Sequence, residues 1–206
     1  MNTNDLIRIY MNDPFSLYNA HFYKSALRSK MWQIEIGKRL AKLLNIKSAV
    51  DFGCGIGCYL EGMKQAGAMV QGYEYSYNNA KKYMSPEIVN NIAMGDVMSI
   101  INAPQCDLSM SIEVAEHILP EKSGCLVDNL TNASKRYILF SAAPKGQGGT
   151  GHINERPMED WIVNFNARGF TVDNHLIKDI RSLFTGLPRN KYMSLIKNQV
   201  VLFRRK

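Results

Sequence analysis

Asp51, Gly53, Gly55 and Gly57 stand at every second position of a stretch that is entered from the apolar run Ser48-Ala49-Val50. The pattern describes a strand that turns sharply into a helix. Glycine lets the backbone pass through steep turns and leaves no Cβ where a ligand must touch main chain. The helix beyond offers free N–H groups and the positive end of its dipole to an anion or carboxylate. The chemistry implied is the binding of a nucleotide cofactor. The spacing is G-x-G-x-G with an Asp two residues ahead, not the G-x-G-x-x-G of a dinucleotide fingerprint. The next apolar run, Ala68-Met69-Val70-Gln71-Gly72-Tyr73, ends in Glu74. Its two carboxylate oxygens can accept from both hydroxyls of a cis-diol.

Two histidines stand where a base is wanted. His117 closes the segment Glu113-Val114-Ala115-Glu116-His117, just beyond a strand-like run over 107–112. A histidine titrating near neutrality can take a proton from a hydroxyl; a hydrogen bond that fixes the loop is the other role open to it. His152 lies in Ala143-Pro144-Lys145-Gly146-Gln147-Gly148-Gly149-Thr150-Gly151-His152-Ile153-Asn154-Glu155-Arg156-Pro157, with four glycines in six residues. Such a loop is either mobile or bent closely round a ligand. His152, Asn154 and Glu155 are expected to point toward the rim that carries His117. Asn154 is also a candidate cap for a helix starting at Pro157.

The elements that position these residues follow from periodicity. Residues 16–44 read as helical, with Trp32, Ile36, Leu40, Leu43 and Leu44 on one apolar face. Strands are expected near 48–53, 69–74, 91–95, 107–112 and 137–142. Helices alternate with them near 57–66, 77–84 and 121–134. This alternation implies parallel strands joined by right-handed crossovers, with ligands bound beyond the strands' carboxyl ends. A helix near 158–167 and strands near 170–177 and 199–204 complete the chain. The connection from Asp179 to Asn198, containing Gly186-Leu187-Pro188-Arg189, reads as a short helix and loop beside the site, with a substrate lid as one role for it.

D-x-G-x-G-x-G at the first strand resembles motif I of the class I S-adenosylmethionine-dependent methyltransferases. Asn91-Ile92-Ala93-Met94-Gly95-Asp96-Val97 resembles the third-strand motif of that family, and the segment from Cys106 to His117 its fourth-strand motif. The run Gly151-His152-Ile153-Asn154-Glu155-Arg156-Pro157 resembles a pattern of small bacterial and phage-borne members. The resemblance implies an α/β fold of the Rossmann-like, doubly wound kind: a seven-stranded sheet, mostly parallel with an antiparallel edge strand. It implies a single domain, with residues 1–46 as a helical cap that roofs the cofactor pocket and 47–206 as the core. The implied cofactor is S-adenosylmethionine, leaving as S-adenosylhomocysteine. Asp51, Gly53, Gly55 and Gly57 would hold its amino-acid end, Glu74 its ribose hydroxyls, and Asp96 with Val97 its adenine. Glu113 would face the reacting methyl group, with His117 and His152 as the catalytic candidates. A small-molecule or sugar-like hydroxyl is the expected acceptor.

Two other readings stand beside this one. E-x-x-E-H followed by a later His also resembles the magnesium set of the small-RNA 3′-terminal 2′-O-methyltransferases, which would make Glu113, Glu116, His117 and His152 ligands and RNA the acceptor. E-x-x-E-H is widespread among metal-independent methyltransferases, however, and no RNA-binding domain is recognisable, so no metal ligand is assigned from sequence. A non-catalytic cofactor-binding subunit would keep Asp51, Gly53, Gly55 and Glu74 but lose polar groups at the acceptor, and His117 and His152 count against it. The N/D-P-P-Y/F signature of amino-methylating DNA enzymes is absent, as is the Pro-Cys of cytosine C5 enzymes.

Composition agrees with a packed globular protein. The chain has 206 residues, 46% hydrophobic and 21% charged, which suits one domain. The net charge of +7 comes from scattered basic residues and a C-terminal Arg204-Arg205-Lys206, without a compact stripe for nucleic acid. Cys54, Cys58, Cys106 and Cys125 form no C-x-x-C pair and read as reduced thiols. With no apolar run long enough to span a membrane and no secretory pattern in Met1-Asn2-Thr3-Asn4-Asp5, the expected location is cytoplasmic.

Overall fold

The computed structural model describes residues 17–185 and 191–206. Its strands are β1 Ser48–Phe52, β2 Met69–Glu74, β3 Ile92–Met94, β4 Cys106–Ile112, β5 Ser134–Ser141, β6 Phe170–Val172 and β7 Val201–Arg205. They form one sheet in the order β3-β2-β1-β4-β5-β7-β6. The first five run parallel, and β7 runs antiparallel between β5 and β6. The helices are α1 Ala20–Ala26, α2 Lys30–Leu43, α3 Cys58–Gln65, α4 Tyr77–Ala80, α5 Ser123–Ala133, α6 Met158–Asn166, α7 Ile177–Ser182 and α8 Lys191–Gln199. None of the described helices is long and apolar enough to cross a membrane.

Because side chains alternate across a strand, each central strand feeds two cores. Ala49, Leu108, Met110, Leu139 and Leu202 pack with Leu40, Leu60 and Met63 of α2 and α3. Val50, Phe52, Ile138, Phe140 and Phe203 face the other way, onto Leu126 and Leu130 of α5 and Trp161 and Phe165 of α6. Full burial of each such aromatic is worth about 1.5–3 kcal/mol. Polar residues inside β4 are satisfied: the Ser109 hydroxyl donates to the Leu130 carbonyl at 2.8 Å and that of Ser111 to the Phe52 carbonyl at 2.9 Å.

Several boundaries depart from the sequence expectation for local reasons. The helix expected over 16–44 is broken by a 3-10 turn at Leu27–Ser29, where the Ser29 hydroxyl donates back to the Ala26 carbonyl. The one expected near 77–84 is a single α turn followed by a 3-10 turn at Lys81–Tyr83. The strand expected to reach Ile177 ends at Val172, because the Asp173 carboxylate accepts from the His175 and Leu176 backbone N–H groups and turns the chain into α7. The connection from Asp179 to Asn198 is therefore largely two helices, and its Gly186-Leu187-Pro188-Arg189 portion lies outside the described residues.

Helix α2 crosses α3 at backbone contact. A Cβ on Gly62 would fall 1.9 Å from the Ile34 carbonyl oxygen, and one on Gly37 would fall 2.2 Å from that of Tyr59. Gly62→Ala must push the helices apart and is expected to destabilise the fold by about 3 kcal/mol. Thermal unfolding checks this, and an unchanged midpoint would show that the crossing is not constrained.

Candidate active site

Strand order reverses between β1 and β4, and a cleft opens beyond their carboxyl ends. The turn after β1 enters it with Gly53, Gly55 and Gly57 at φ of +83°, +58° and +76°, the left-handed region that favours glycine. Space gives each a different reason. A Cβ on Gly53 would lie 2.6 Å from Val114, and one on Gly57 would lie 2.5 Å from Ile92, whereas around Gly55 there is nothing within 4 Å. Gly53 and Gly55 line the cleft and Gly57 does not. At Gly57 the turn packs against Ile92 of β3 and Ile88.

Two carboxylates lie under this turn. Glu74, at the tip of β2, accepts from the Gly55 N–H at 2.9 Å, the Ser76 N–H at 2.9 Å and the Tyr23 hydroxyl at 2.7 Å. Burial still raises its pKa, against the lowering by these bonds. A carboxylate offers about four lone-pair sites, and the Tyr75 backbone N–H bonds it as well, so a ligand hydroxyl is accepted only where one of these donors yields. Asp51, 3% exposed, has its carboxyl pushed up to about 8 by burial and by the charge of Glu74. Asp96 and Val97 form the next part of the wall; Asp96 Oδ1 accepts from the Met98 N–H at 2.9 Å, and Val97 is buried.

Tyr18, Phe22 and Tyr23 roof the cleft from α1 and the residues before it. Asn19 caps α1 by accepting from the His21 and Phe22 N–H groups. The roof is tied to the floor where the Ser76 hydroxyl and Asn79 amide donate to the Tyr18 carbonyl.

The opposite wall is the end of β4. Glu113 lies there at φ +56°, an uncommon conformation for a residue with a Cβ and one that concentrates at functional sites. It is held by the Ser141 hydroxyl, which donates to its Oε1 at 2.7 Å. The Gln199 amide sits between Gln147 and Glu113; with its nitrogen toward Glu113 it donates to the two carboxylate oxygens at 3.1 and 3.0 Å. Burial raises the Glu113 carboxyl. Glu116 is buried behind it, its carboxyl pushed up to about 8 by burial and the Glu113 charge. His117 lines the cleft. Burial and the neighbouring His152 bring its pKa down to about 4, so the ring is neutral at pH 7.

The glycine loop folds onto this wall. The Glu116 carbonyl accepts from the Ile153 and Asn154 N–H groups at 2.9 and 3.0 Å, and the Asn154 amide donates to the Ala115 carbonyl and the Ser123 hydroxyl. Asn154 is thus a buried latch, not a rim residue, and α6 begins at Pro157 without a side-chain cap. Glu155 accepts from the Gly146 and Gly148 N–H groups and pairs with His152 Nδ1 at 2.7 Å, so it orders the loop from behind. His152 is brought edge-on to His117 with ring centroids 4.8 Å apart, as expected, but it stands outside the cleft lining. Sequence reasoning missed Gln199 and the Tyr23–Glu74 bond; no local pattern marks either one.

Seven strands in this order, with β7 the one reversed, are a fold that the chain shares with solved methyltransferases. Among solved structures the chain is similar to the magnesium protoporphyrin IX methyltransferase of Synechocystis PCC 6803 with bound SAM, at a TM-score of 0.60 and 18% identity over 100% of this chain and 98% of that one. It is similar also to the sugar N-methyltransferase KedS8 of Streptoalloteichus sp ATCC 53650, at 0.63 and 13% over 90% and 91%. The mitomycin 7-O-methyltransferase MmcR gives 0.64 and 15% over 98% of this chain and 60% of that one. No protein-family model and no curated protein matches the chain.

Proposed function

We propose that the protein is an S-adenosylmethionine-dependent methyltransferase that methylates a hydroxyl of a small, sugar-like acceptor. The observation that carries this reading is the convergence of Asp51, Glu74 and Asp96 on one cleft at the switch point, with the open cradle at Gly55 between them. The residues fit the cofactor by charge and by shape. Asp51, with Gly53 and Gly55, would hold an ammonium and carboxylate end; Glu74 would accept from ribose hydroxyls; and Asp96 with Val97 would take the adenine. When bound, the cofactor supplies an electrophilic methyl group on a sulfonium.

The protein's own contribution is positioning. Glu113 and His117 face the cleft from the acceptor side, and the neutral His117 ring, a weak base with its pKa brought down to about 4, can accept a hydrogen bond from an acceptor hydroxyl and orient it. His152, reaching the site through His117, is a positioning residue on this reading. The aromatic roof of Tyr18, Phe22 and Tyr23 favours a small acceptor over a nucleic acid strand. Solved structures of this fold include enzymes named for a porphyrin, a sugar and mitomycin, in keeping with a small-molecule acceptor. Free thiols at Cys54, Cys58, Cys106 and Cys125 suit a reducing, cytoplasmic setting.

Calorimetric titration tests the reading. S-adenosylmethionine and S-adenosylhomocysteine are expected to bind with micromolar affinity and NAD not at all, after which sugar and phenolic hydroxyls are screened for methyl transfer. Preference for NAD, or no binding, would overturn the cofactor assignment.

A further inference from the structure

Glu116, His117 and His152 come together so that one ligand atom of each lies within 4.8 Å of the others. The two rings are supported alike. His117 Nδ1 lies 3.2 Å from the Gly151 carbonyl oxygen, and His152 Nδ1 lies 2.7 Å from Glu155 Oε1. With Nδ1–H directed at an oxygen, a neutral ring keeps its lone pair on Nε2, and such an acceptor behind one nitrogen is the usual support of a ring that binds metal through the other. Glu116 supplies an independent sign. It is 1% exposed, and its Oε2 has no hydrogen-bond partner. A buried carboxyl oxygen left unsatisfied costs about 1–3 kcal/mol, and a cation that takes the place of the carboxyl's proton removes that cost. Glu113 is engaged by Ser141 and Gln199 and shares a hydrogen bond with the Glu116 carboxyl, so it is Glu116 Oε2 that is left over for an ion.

We propose that Glu116, His117 and His152 bind one divalent transition-metal ion at the acceptor wall of the cleft. Two imidazoles and a carboxylate suit zinc or cobalt better than magnesium, which prefers oxygen ligands. Ligands about 2.1 Å from such an ion stand roughly 3–3.5 Å apart, so the three side chains close by about 1 Å onto it. Three protein ligands leave coordination positions open. His117 also lines the cleft, so the open side faces the acceptor space, where the ion, in place of the His117 lone pair it occupies, takes an oxygen of the acceptor. This last step rests on the methyltransferase reading; binding of the ion does not.

The test uses full-length protein stripped with a chelator and titrated with zinc and with cobalt. The expected result is a single tight equivalent, a cobalt spectrum of nitrogen and oxygen ligation without thiolate bands, and a raised unfolding midpoint. Glu116→Gln, which keeps the side chain's volume, and His152→Ala are each expected to weaken binding at least about tenfold while S-adenosylhomocysteine still binds. No stoichiometric binding, thiolate bands, or unchanged affinity in Glu116→Gln with its fold intact would overturn the site. If S-adenosylhomocysteine fails to bind the wild-type protein, the cofactor reading falls and the ion site is still decided by its own titration.

Discussion

Glu74→Gln is expected to weaken S-adenosylhomocysteine binding about 100-fold and to lower the unfolding midpoint by a few degrees. The carboxylate is met by the Tyr23 hydroxyl and by the backbone N–H groups of Gly55, Ser76 and Tyr75. An amide has one accepting oxygen and presents N–H groups on its other side, so at least one of these donors would face another donor. The same substitution removes the acceptor on which a ribose hydroxyl depends. Tyr23→Phe is the internal control: it deletes a single donor, frees a lone pair on Glu74, and should leave affinity within about threefold. Calorimetry on the two variants separates the outcomes, and equal affinities for Glu74→Gln and wild type would remove Glu74 from the cofactor site.

Asp51→Asn should make the protein more stable and a poorer binder at once. Burial and the Glu74 charge hold the Asp51 carboxyl at about 8, against about 3.9 in an unfolded chain. The folded state keeps a proton that the unfolded chain has released, so this group's contribution to stability falls as pH rises from about 4 to about 8. The variant lacks that slope. Its midpoint is expected to draw level with wild type in acid and to exceed it by about 5 °C or more at pH 8. Binding moves oppositely, because an ionised Asp51 attracts an ammonium group and a protonated one does not. Wild-type affinity for S-adenosylhomocysteine should therefore rise between about pH 6 and 8, by up to tenfold per unit, while the variant's profile is flat and lower. A flat wild-type profile would mean that Asp51 does not meet a cation.

The parts of this site that could be read from the chain are those written in contiguous residues. The apolar run, acid and spaced glycines of 48–57 fix a strand, a turn and a helix within ten positions, and Glu74 and Asp96 follow their own short strands. Sheet class followed from the same alternation. Contacts made across the fold could not be read this way. Gln199 reaches Glu113 only because β7 inserts beside β5, which brings the end of α8 to the cleft, and periodicity does not encode strand order. Gly37 and Gly62 lie inside helical stretches where each looks like a defect of propensity; only the crossing of α2 over α3 gives them a purpose. One miss had a visible signal. Asp173 followed by His175 and Leu176 is a side-chain turn that opens a helix, and the β-rich run before it masked the stop.

The stitching of the 153–154 backbone to the Glu116 carbonyl, together with the Asn154 latch onto Ala115 and Ser123, has a practical consequence for engineering. The acceptor wall is assembled from two segments that share a common set of bonds. Transplanting the glycine loop from another enzyme without the turn after β4 would leave both halves without partners. A graft that aims to change the acceptor must carry the two segments as one cassette, and domain-shuffled libraries should be cut on either side of the pair, never between its halves.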